Sequence, residues 1–290
     1  MDFYNGKELL EKCKENSLRI SQIMKLRETT TGSLPEEKVE EKLQTALSIM
    51  KQSATKPLTK PGKSIGGLIG GEAKKVWEHG LTKDAVSGSM LSKAIAYSMG
   101  VLEVNASMGL IVAAPTAGSA GVVPGVLLAL ADEHNIDDNA LCSGLLNASA
   151  IGYLLMRNAS VAGAEAGCQA EVGAASAMAA SAIVEIMGGT PEMCLDAASF
   201  ALSNLLGLVC DPIAGLVEAP CQSRNAIGVA NAITSAELVL SGIKHLIPFD
   251  EMAEAMLRVG RSLPFELRET AMGGCAGTPT GCSFGCNACK

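Results

Sequence analysis

The sequence contains few aromatic residues and few cations, and both shortages exclude nucleic acid as a ligand. Its 290 residues include one Trp, three Tyr and five Phe, and the formal net charge is −7 at pH 7. Binding of nucleic acid requires Lys and Arg to neutralise phosphates, and often aromatic rings on which bases stack. We therefore expect no nucleic-acid partner. Intrinsic disorder is also excluded, because 48% of the residues are hydrophobic.

The cations are unevenly distributed along the chain. Sixteen of the 23 Lys and Arg residues precede residue 94, and only Arg157 and Arg224 lie within residues 94–243. So few cations predict helices that are buried on most sides, in a large core or against another chain. Because this segment contains no Lys, it cannot form the Schiff base on which pyridoxal-phosphate chemistry depends.

Two features bear on the compartment. The uncharged run 104–131 is long enough to span a bilayer, but Pro and Gly interrupt it, and neither an aromatic belt nor a basic flank brackets it. Residues 1–8 lack the apolar segment of a signal peptide. We therefore expect a cytoplasmic protein without a membrane segment. Its ten Cys residues are then reduced thiols, better suited to metal ligation or catalysis than to disulfides.

The hydrophobic pattern predicts an all-α fold. A charged amphipathic helix should end near Thr29–Gly32, and Ser33-Leu34-Pro35-Glu36 resembles a capping box that opens a second helix reaching about Met50. The Ala-rich stretch Ala174–Ile186 favours helix, and Thr190-Pro191 is a typical helix start. We expect one large helical domain with four parts: an N-terminal helical segment (1–50), a linker (51–71), an all-helical catalytic domain (72–270) and an irregular Cys-rich tail (271–290).

Three cysteines of the apolar region lie beside helix-breaking Gly and Pro residues: Cys168, Cys210 and Cys221. A free Cys is commonly only a small buried hydrophobe, and we assign Cys142 and Cys194, which lie among leucines, to the core. If the first three thiols converge, their softness points to zinc or to an iron–sulfur cluster. Three ligands on a four-iron cluster would leave one iron open for Lewis-acid chemistry. Their spacing of 42 and then 11 residues is not diagnostic by itself.

A Gly-rich loop, Pro115–Gly121, precedes an apolar segment and carries the hydroxyls of Thr116 and Ser119. Such a loop at the start of a helix can offer N–H donors and the positive end of a helix dipole to a small carboxylate. The other interpretation is a tight turn between helices, in which the glycines serve packing only.

The tail contains Cys275, Cys282, Cys286 and Cys289. Their spacing resembles a zinc or cluster knuckle, but it is equally compatible with a flexible tail.

At these residues the sequence resembles the alpha (catalytic) chain of the iron–sulfur-dependent L-serine dehydratases, and the resemblance covers nearly the whole chain. It is carried by five stretches: 103–109, 114–121, 157–173, 210–221 and 268–274. The resemblance implies an oxygen-sensitive [4Fe-4S] cluster held by Cys168, Cys210 and Cys221. It also implies deamination of L-serine to pyruvate and ammonia, a lyase reaction of amino-acid degradation that can feed gluconeogenesis.

The resemblance further implies that substrate is held near the loop by Thr116, Gly118 and Ser119, with Asn158 and Ser160 as neighbours of the cluster. Single-chain relatives carry a further region with a Ser-Ser-Ser-His-Thr-type motif, which is absent here. The resemblance therefore implies a hetero-oligomer with a separate beta chain. Some relatives end in a cysteine that reaches the open iron, and Cys289 is the tail candidate for that role.

The catalytic base is left open between four sources. Three lie near the predicted ligands, namely Glu165, Glu171 and Glu218, and the fourth is the partner chain. Two other functions are also compatible with the residues. One is a different [4Fe-4S] lyase such as an L-cysteine desulfidase, and the other is a non-catalytic interaction subunit that binds zinc.

Overall fold

The structure, a computed structural model, describes residues 1–285, and these residues form an all-α fold of helices joined by loops, as predicted. The only β-type pairing in that range is an isolated bridge between Cys210 and Arg268. Thirteen α-helices are formed: α1 (Gly6–Asn16), α2 (Ile20–Thr30), α3 (Glu36–Thr59), α4 (Glu72–Gly80), α5 (Gly88–Ala106), α6 (Val122–His134), α7 (Asp138–Asn158), α8 (Gly163–Ala166), α9 (Ala174–Ile186), α10 (Pro191–Asn204), α11 (Cys221–Leu240), α12 (Phe249–Ser262) and α13 (Pro279–Gly285).

Helix α9 is the centre of the fold. It has the predicted bounds, and every residue from Ala174 to Glu185 is buried. Its small side chains allow neighbouring helices to approach closely, and it packs against α6, α7, α10 and α11. The next helix, α10, begins as predicted, because the Thr190 side chain caps it by accepting a hydrogen bond from the Met193 N–H at 3.3 Å. Cys142 and Cys194 are buried, which confirms their assignment to the core.

Helices α5 and α6 cross at close range, and this crossing positions the Gly-rich loop. A Cβ on Gly125 would lie 2.8 Å from the backbone oxygen of Ala94, and one on Gly121 would meet the backbone oxygen of Ser98. Only glycine at these two positions lets the backbones meet. The loop that precedes α6 contains a 3₁₀ turn, Ala117–Ser119. The loop ends at Gly121, where its backbone contacts α5, and this contact fixes its position.

The N-terminal helices differ from the prediction at three points. The predicted first helix is two helices, because the chain breaks between α1 and α2, with Ser17 in the left-handed conformation. The predicted capping box does not form, since Pro35 and not Ser33 precedes α3 and no side chain caps it. Helix α3 also passes the predicted end at Met50 and continues to Thr59, through the first part of the segment we expected to be a linker.

Packing explains the longer α3. Ser53, Ala54, Pro57 and Leu58 are buried in the extra turns, and α3 packs against α5. Burial of these side chains outweighs the polar, proline-punctuated sequence, which by local rules favours a linker.

The described part of the tail is also more regular than predicted, because residues 279–285 form the short helix α13. Helix α7 is long and apolar enough to cross a membrane by length and composition, and 61% of its apolar window is buried inside the fold. Its contacts with α2 and α9 account for that hydrophobicity.

Candidate metal centre and active site

Two of the three predicted ligand cysteines lie at the start of a helix or helical turn, and the third lies in an extended segment. Cys168 directly precedes a π turn, Gln169–Gly173, a wider turn that often occurs at functional sites. Cys210 forms the isolated bridge to Arg268, accepting a hydrogen bond from the Glu269 N–H at 2.7 Å. Cys221 is the first residue of α11. All three are buried, with exposed fractions of 3%, 3% and 8% in chain order.

The structure brings these thiols into one electrostatic environment. Burial raises the pKa of Cys168 to about 12 and that of Cys221 to about 12, and the charge of Glu171 adds to both increases. Burial also raises the pKa of Cys210, with further increases from Cys168 and Glu171. In the metal-free chain the thiols are therefore protonated, and a bound metal must displace those protons.

The chemistry of the donor set is compatible with an iron–sulfur cluster. Three buried sulfurs, each on a different segment, supply the soft thiolate ligands that such a cluster requires and that zinc also accepts. Within residues 1–285, no group of three His, Cys, Asp or Glu side chains lies close enough together to hold a single metal ion.

The predicted substrate loop lies directly beside these cysteines. The Thr116 hydroxyl donates to Glu171 Oε1 at 2.7 Å and lies 3.1 Å from the hydroxyl of Ser119. A Cβ on Gly118 would lie 3.2 Å from the same Glu171 oxygen. The other Glu171 oxygen lies 3.8 Å from Cys210 Sγ, which places Glu171 between the loop and a ligand cysteine.

Asn225 joins the loop to Cys221. Its side-chain N–H donates to the backbone oxygens of Gly118 at 2.8 Å and Cys221 at 2.9 Å, and its oxygen accepts from the Gly121 N–H at 3.0 Å. Because Asn225 is fully buried, these bonds are shielded from water. The loop and the thiols, predicted as separate features, thus form one site.

The three candidate glutamates occupy different environments. Glu171 lies in the π turn, and burial raises its pKa, although the hydrogen bond from Thr116 opposes that shift. Glu218 is buried but accepts three hydrogen bonds from one loop, at 2.6 Å from the Ser64 hydroxyl, 2.7 Å from Gly66 N–H and 2.9 Å from Leu68 N–H. The Glu165 side chain is 49% exposed and lies 3.7 Å from Arg261.

Asn158 and Ser160 make contacts away from the loop. The exposed Asn158 side chain donates to the backbone oxygen of Tyr4 at 2.7 Å, so this side chain fastens the N-terminus to the end of α7. The buried Ser160 hydroxyl donates to Glu165 at 2.7 Å. No contact joins either residue to the three cysteines, and their predicted role near a cluster stays a prediction.

Tail residue Cys289 lies outside the described residues, as does Cys286. Of the tail cysteines within them, Cys275 is exposed, and its N–H donates to the buried carboxylate of Asp211. Cys282 is partly buried and donates to the backbone oxygen of Ala276 at 3.4 Å. The beginning of the tail is therefore anchored one residue from the ligand candidate Cys210.

Four further residues contribute to the site although no sequence motif pointed to them: Arg224, Asp211, Asn225 and Glu269. The charge distribution offered one signal, since Arg224 is one of only two cations in residues 94–243. Glu269 is the less obvious case. It is exposed, has a positive φ of 62°, and raises the pKa of Glu171 through its charge. Residues other than Gly and Asn rarely adopt this conformation, and such strain is concentrated at functional sites.

Comparison with known proteins gives a family and several relatives. Residues 15–276 match the family described as serine dehydratase alpha chain. An L-serine dehydratase alpha chain from Peptoniphilus asaccharolyticus is 46% identical over 276 residues, which cover 95% of this chain and 94% of the relative. L-serine dehydratases from Helicobacter pylori and Streptomyces coelicolor are each 36% identical over more than nine-tenths of this chain. The matches cover 62% and 60% of those two relatives.

Proposed function

We propose that this chain, which belongs to the family of serine dehydratase alpha chains, is the catalytic alpha chain of an L-serine dehydratase. Its reaction would convert L-serine to pyruvate and ammonia. The observation that carries the proposal is one site that combines three buried thiols, a hydroxyl-bearing Gly-rich loop and a buried carboxyl group.

We further propose that Cys168, Cys210 and Cys221 hold a [4Fe-4S] cluster. When bound, such a cluster with three protein ligands supplies an open iron, a Lewis acid that eases departure of the serine hydroxyl. The position of Cys221 at the start of α11 supports this role, because the positive end of a helix dipole stabilises a thiolate.

The remaining steps would fall to this chain's own residues. Thr116 and Ser119 present hydroxyls from the turn that precedes α6, where a substrate carboxylate can be bound near a helix N-terminus. Loss of the Cα proton and of the hydroxyl, which leaves as water, yields aminoacrylate. Aminoacrylate tautomerises to an imine, and water hydrolyses the imine to pyruvate and ammonia.

Geometry favours Glu171 as the group that accepts the Cα proton. Its carboxylate lies between Thr116 of the loop and Cys210, so a serine held by the loop would lie next to it. Glu218 is less suited, because three hydrogen bonds fix its carboxylate to residues 64–68. Glu165 is half exposed, lies 3.7 Å from Arg261 and accepts a hydrogen bond from the Ser160 hydroxyl.

The test begins with anaerobic reconstitution of the chain with iron and sulfide. Cys168→Ser, Cys210→Ser and Cys221→Ser should each lose most bound iron, the visible absorbance and pyruvate formation. The matched control Cys142→Ser replaces a buried thiol of α7 and should retain all three properties. Full iron content in any one of the first three variants would remove that cysteine from the ligand set.

The same preparation tests the reaction and the base. L-serine should yield pyruvate, whereas rapid sulfide release from L-cysteine with no turnover of L-serine would favour a desulfidase. Glu171→Gln should keep its iron and sulfide but lose pyruvate formation by about 100-fold or more, the usual contribution of a general base. Glu165→Gln is the control and should stay within a few-fold of the unaltered chain.

We also propose a separate beta chain as partner. The single-chain relatives extend well beyond their match to this chain. An exposed apolar patch, made of Ile65, Met108 and Leu110, lies on the two segments next to the substrate loop and offers a surface for it. These side chains are 71%, 80% and 71% exposed, and the Ile65 N–H donates to the backbone oxygen of Ala106 at 2.9 Å.

A further inference from the structure

Arg224 occupies a place where a cation is normally unfavourable. It lies in the first turn of α11, three residues after Cys221, where the positive end of the helix dipole repels positive charge. The only other cation of residues 94–243, Arg157, lies at the surface with its guanidinium 4.4 Å from the ring centre of Tyr4. An Arg side chain that is only 14% exposed, in a region with so few cations, therefore requires a specific counter-charge.

The guanidinium of Arg224 is fixed on two sides. Its Nη2 forms an ion pair with Asp211 Oδ1 at 2.6 Å, and its Nη1 donates to the backbone oxygen of Val209 at 2.8 Å. The Arg224 side chain is 14% exposed and that of Asp211 is 2% exposed, so water screens this pair poorly. Val209 and Asp211 are the two chain neighbours of Cys210, and both are thereby tied to α11.

The guanidinium lies between two of the ligand segments. Its own helix, α11, begins at Cys221, and both of its partners are chain neighbours of Cys210. A guanidinium has five N–H donors in a planar fork, so contacts with Asp211 and Val209 leave donors for a ligated sulfur. One side chain therefore connects the segments of Cys210 and Cys221.

We propose that Arg224 is a positioning residue of the metal centre, holding the Cys210 and Cys221 segments together and supplying a fixed positive charge beside the ligated sulfurs. This inference rests on the proposed function. Three thiolates around a dicationic four-iron core would leave a net negative charge in a buried site, and a nearby cation stabilises such a charge. Asp211 and Val209 hold the guanidinium beside Cys210.

The experiment compares three variants of the anaerobically reconstituted chain. Arg224→Met removes the charge, Arg224→Lys keeps the charge without the planar fork, and Arg157→Met removes the other cation of the segment. The measurements are iron and sulfide per chain, the midpoint reduction potential of the cluster, and the rate at which a chelator removes iron.

Arg224→Met should shift the reduction potential downward, because loss of a nearby cation disfavours the added electron, and should lose iron about tenfold faster. Arg224→Lys should restore the potential but not the native rate of iron loss. Arg157→Met should match the unaltered chain in both measurements. A merely structural role for Arg224 would change the stability of the fold without changing the potential.

Two results would overturn the inference separately from the proposed function. One is an Arg224→Met variant with the native potential and native rate of iron loss. The other, which decides the matter if that variant fails to fold, is an Arg224→Lys variant that retains iron as long as the unaltered chain. If the unaltered chain itself takes up no iron and sulfide, the proposed cofactor fails and this inference fails with it.

Discussion

At the scale of single residues, the buried glutamates differ in how fully their oxygens are hydrogen-bonded. Glu218 accepts three hydrogen bonds from residues 64–68 and therefore acts as an anchor for that loop. Glu103 is equally buried, but no donor among the described residues reaches its Oε2. Its Oε1 accepts from the Ala73 N–H at 2.9 Å and from the Gln222 side chain at 3.2 Å. Incomplete solvation of a buried carboxyl favours its neutral form.

A pH-dependent stability follows for Glu103, because burial raises its pKa. When the pKa of a carboxyl group is higher in the folded state, its contribution to stability is complete at pH values below the pKa of the unfolded state, near 4.3. That contribution is lost as pH rises through the pKa of the folded state. The Glu103→Gln variant should therefore gain stability relative to the unaltered chain between pH 4 and 8. The gain should be about 1.4 kcal/mol for each unit by which burial raises the pKa.

Denaturant unfolding of both metal-free proteins across this pH range measures the difference. At pH 4 the comparison serves as its own control, since Glu103 is then mostly protonated in both states and resembles the amide. A stability difference that is constant from pH 4 to 8 would contradict a raised pKa.

At the scale of elements, glycines decide where helices can cross. Gly125 of α6 faces the backbone of α5, whereas Gly152 of α7 faces only the flexible end of the Met178 side chain, 3.1 Å from an added Cβ. Both residues lie inside helices, where Ala is favoured over Gly by about 0.5–1 kcal/mol. Substitution by Ala at each of the two positions therefore separates the effect of helix propensity from the effect of a steric clash with a neighbouring backbone.

Gly125→Ala should destabilise the chain by about 1–3 kcal/mol, because the added methyl group must push apart two backbones. Gly152→Ala, the matched control, should change stability by less than about 1 kcal/mol, since Met178 can change rotamer. Thermal unfolding of the two metal-free variants measures the difference. Equal stability of the two variants would show that α5 and α6 do not cross as closely as the structure has them.

At the scale of the whole molecule, charge and apolar surface are segregated. The N-terminal helices carry most of the cations, and the core segment carries two. The apolar patch of Ile65, Met108 and Leu110 lies beside the loop that we assign to substrate binding. Water-exposed apolar side chains at the border of a site are typical of a surface that another chain covers.

Leu110→Glu should weaken association with the proposed beta chain by about tenfold or more, because a charge would be buried in the interface. Leu246→Glu is the matched control, since Leu246 is 97% exposed in the segment between α11 and α12 and outside the patch. Titration of labelled alpha chain with the beta chain, followed by sedimentation, measures the affinities. Native affinity of Leu110→Glu would exclude this patch as the docking surface.

Features that depend on local chemistry could be predicted from the amino-acid sequence alone. Ala-rich composition set the bounds of α9, and Thr190-Pro191 set the start of α10, because propensity and capping act within one turn. The position of three thiols beside helix-breaking Gly and Pro residues also indicated Cys168, Cys210 and Cys221 as candidate ligands. Their proposed cluster and the proposed partner chain came from a family resemblance and remain to be tested.

Which residues act together became clear from the folded arrangement of the helices. It placed Glu171, and not Glu165 or Glu218, between the loop and Cys210. It also joined Arg224 to Asp211 across 13 positions of sequence, and it extended α3 through a proline-punctuated segment. Such outcomes depend on burial and on contacts between distant segments, whose energies exceed local preferences, and no pattern within a single segment contains that information.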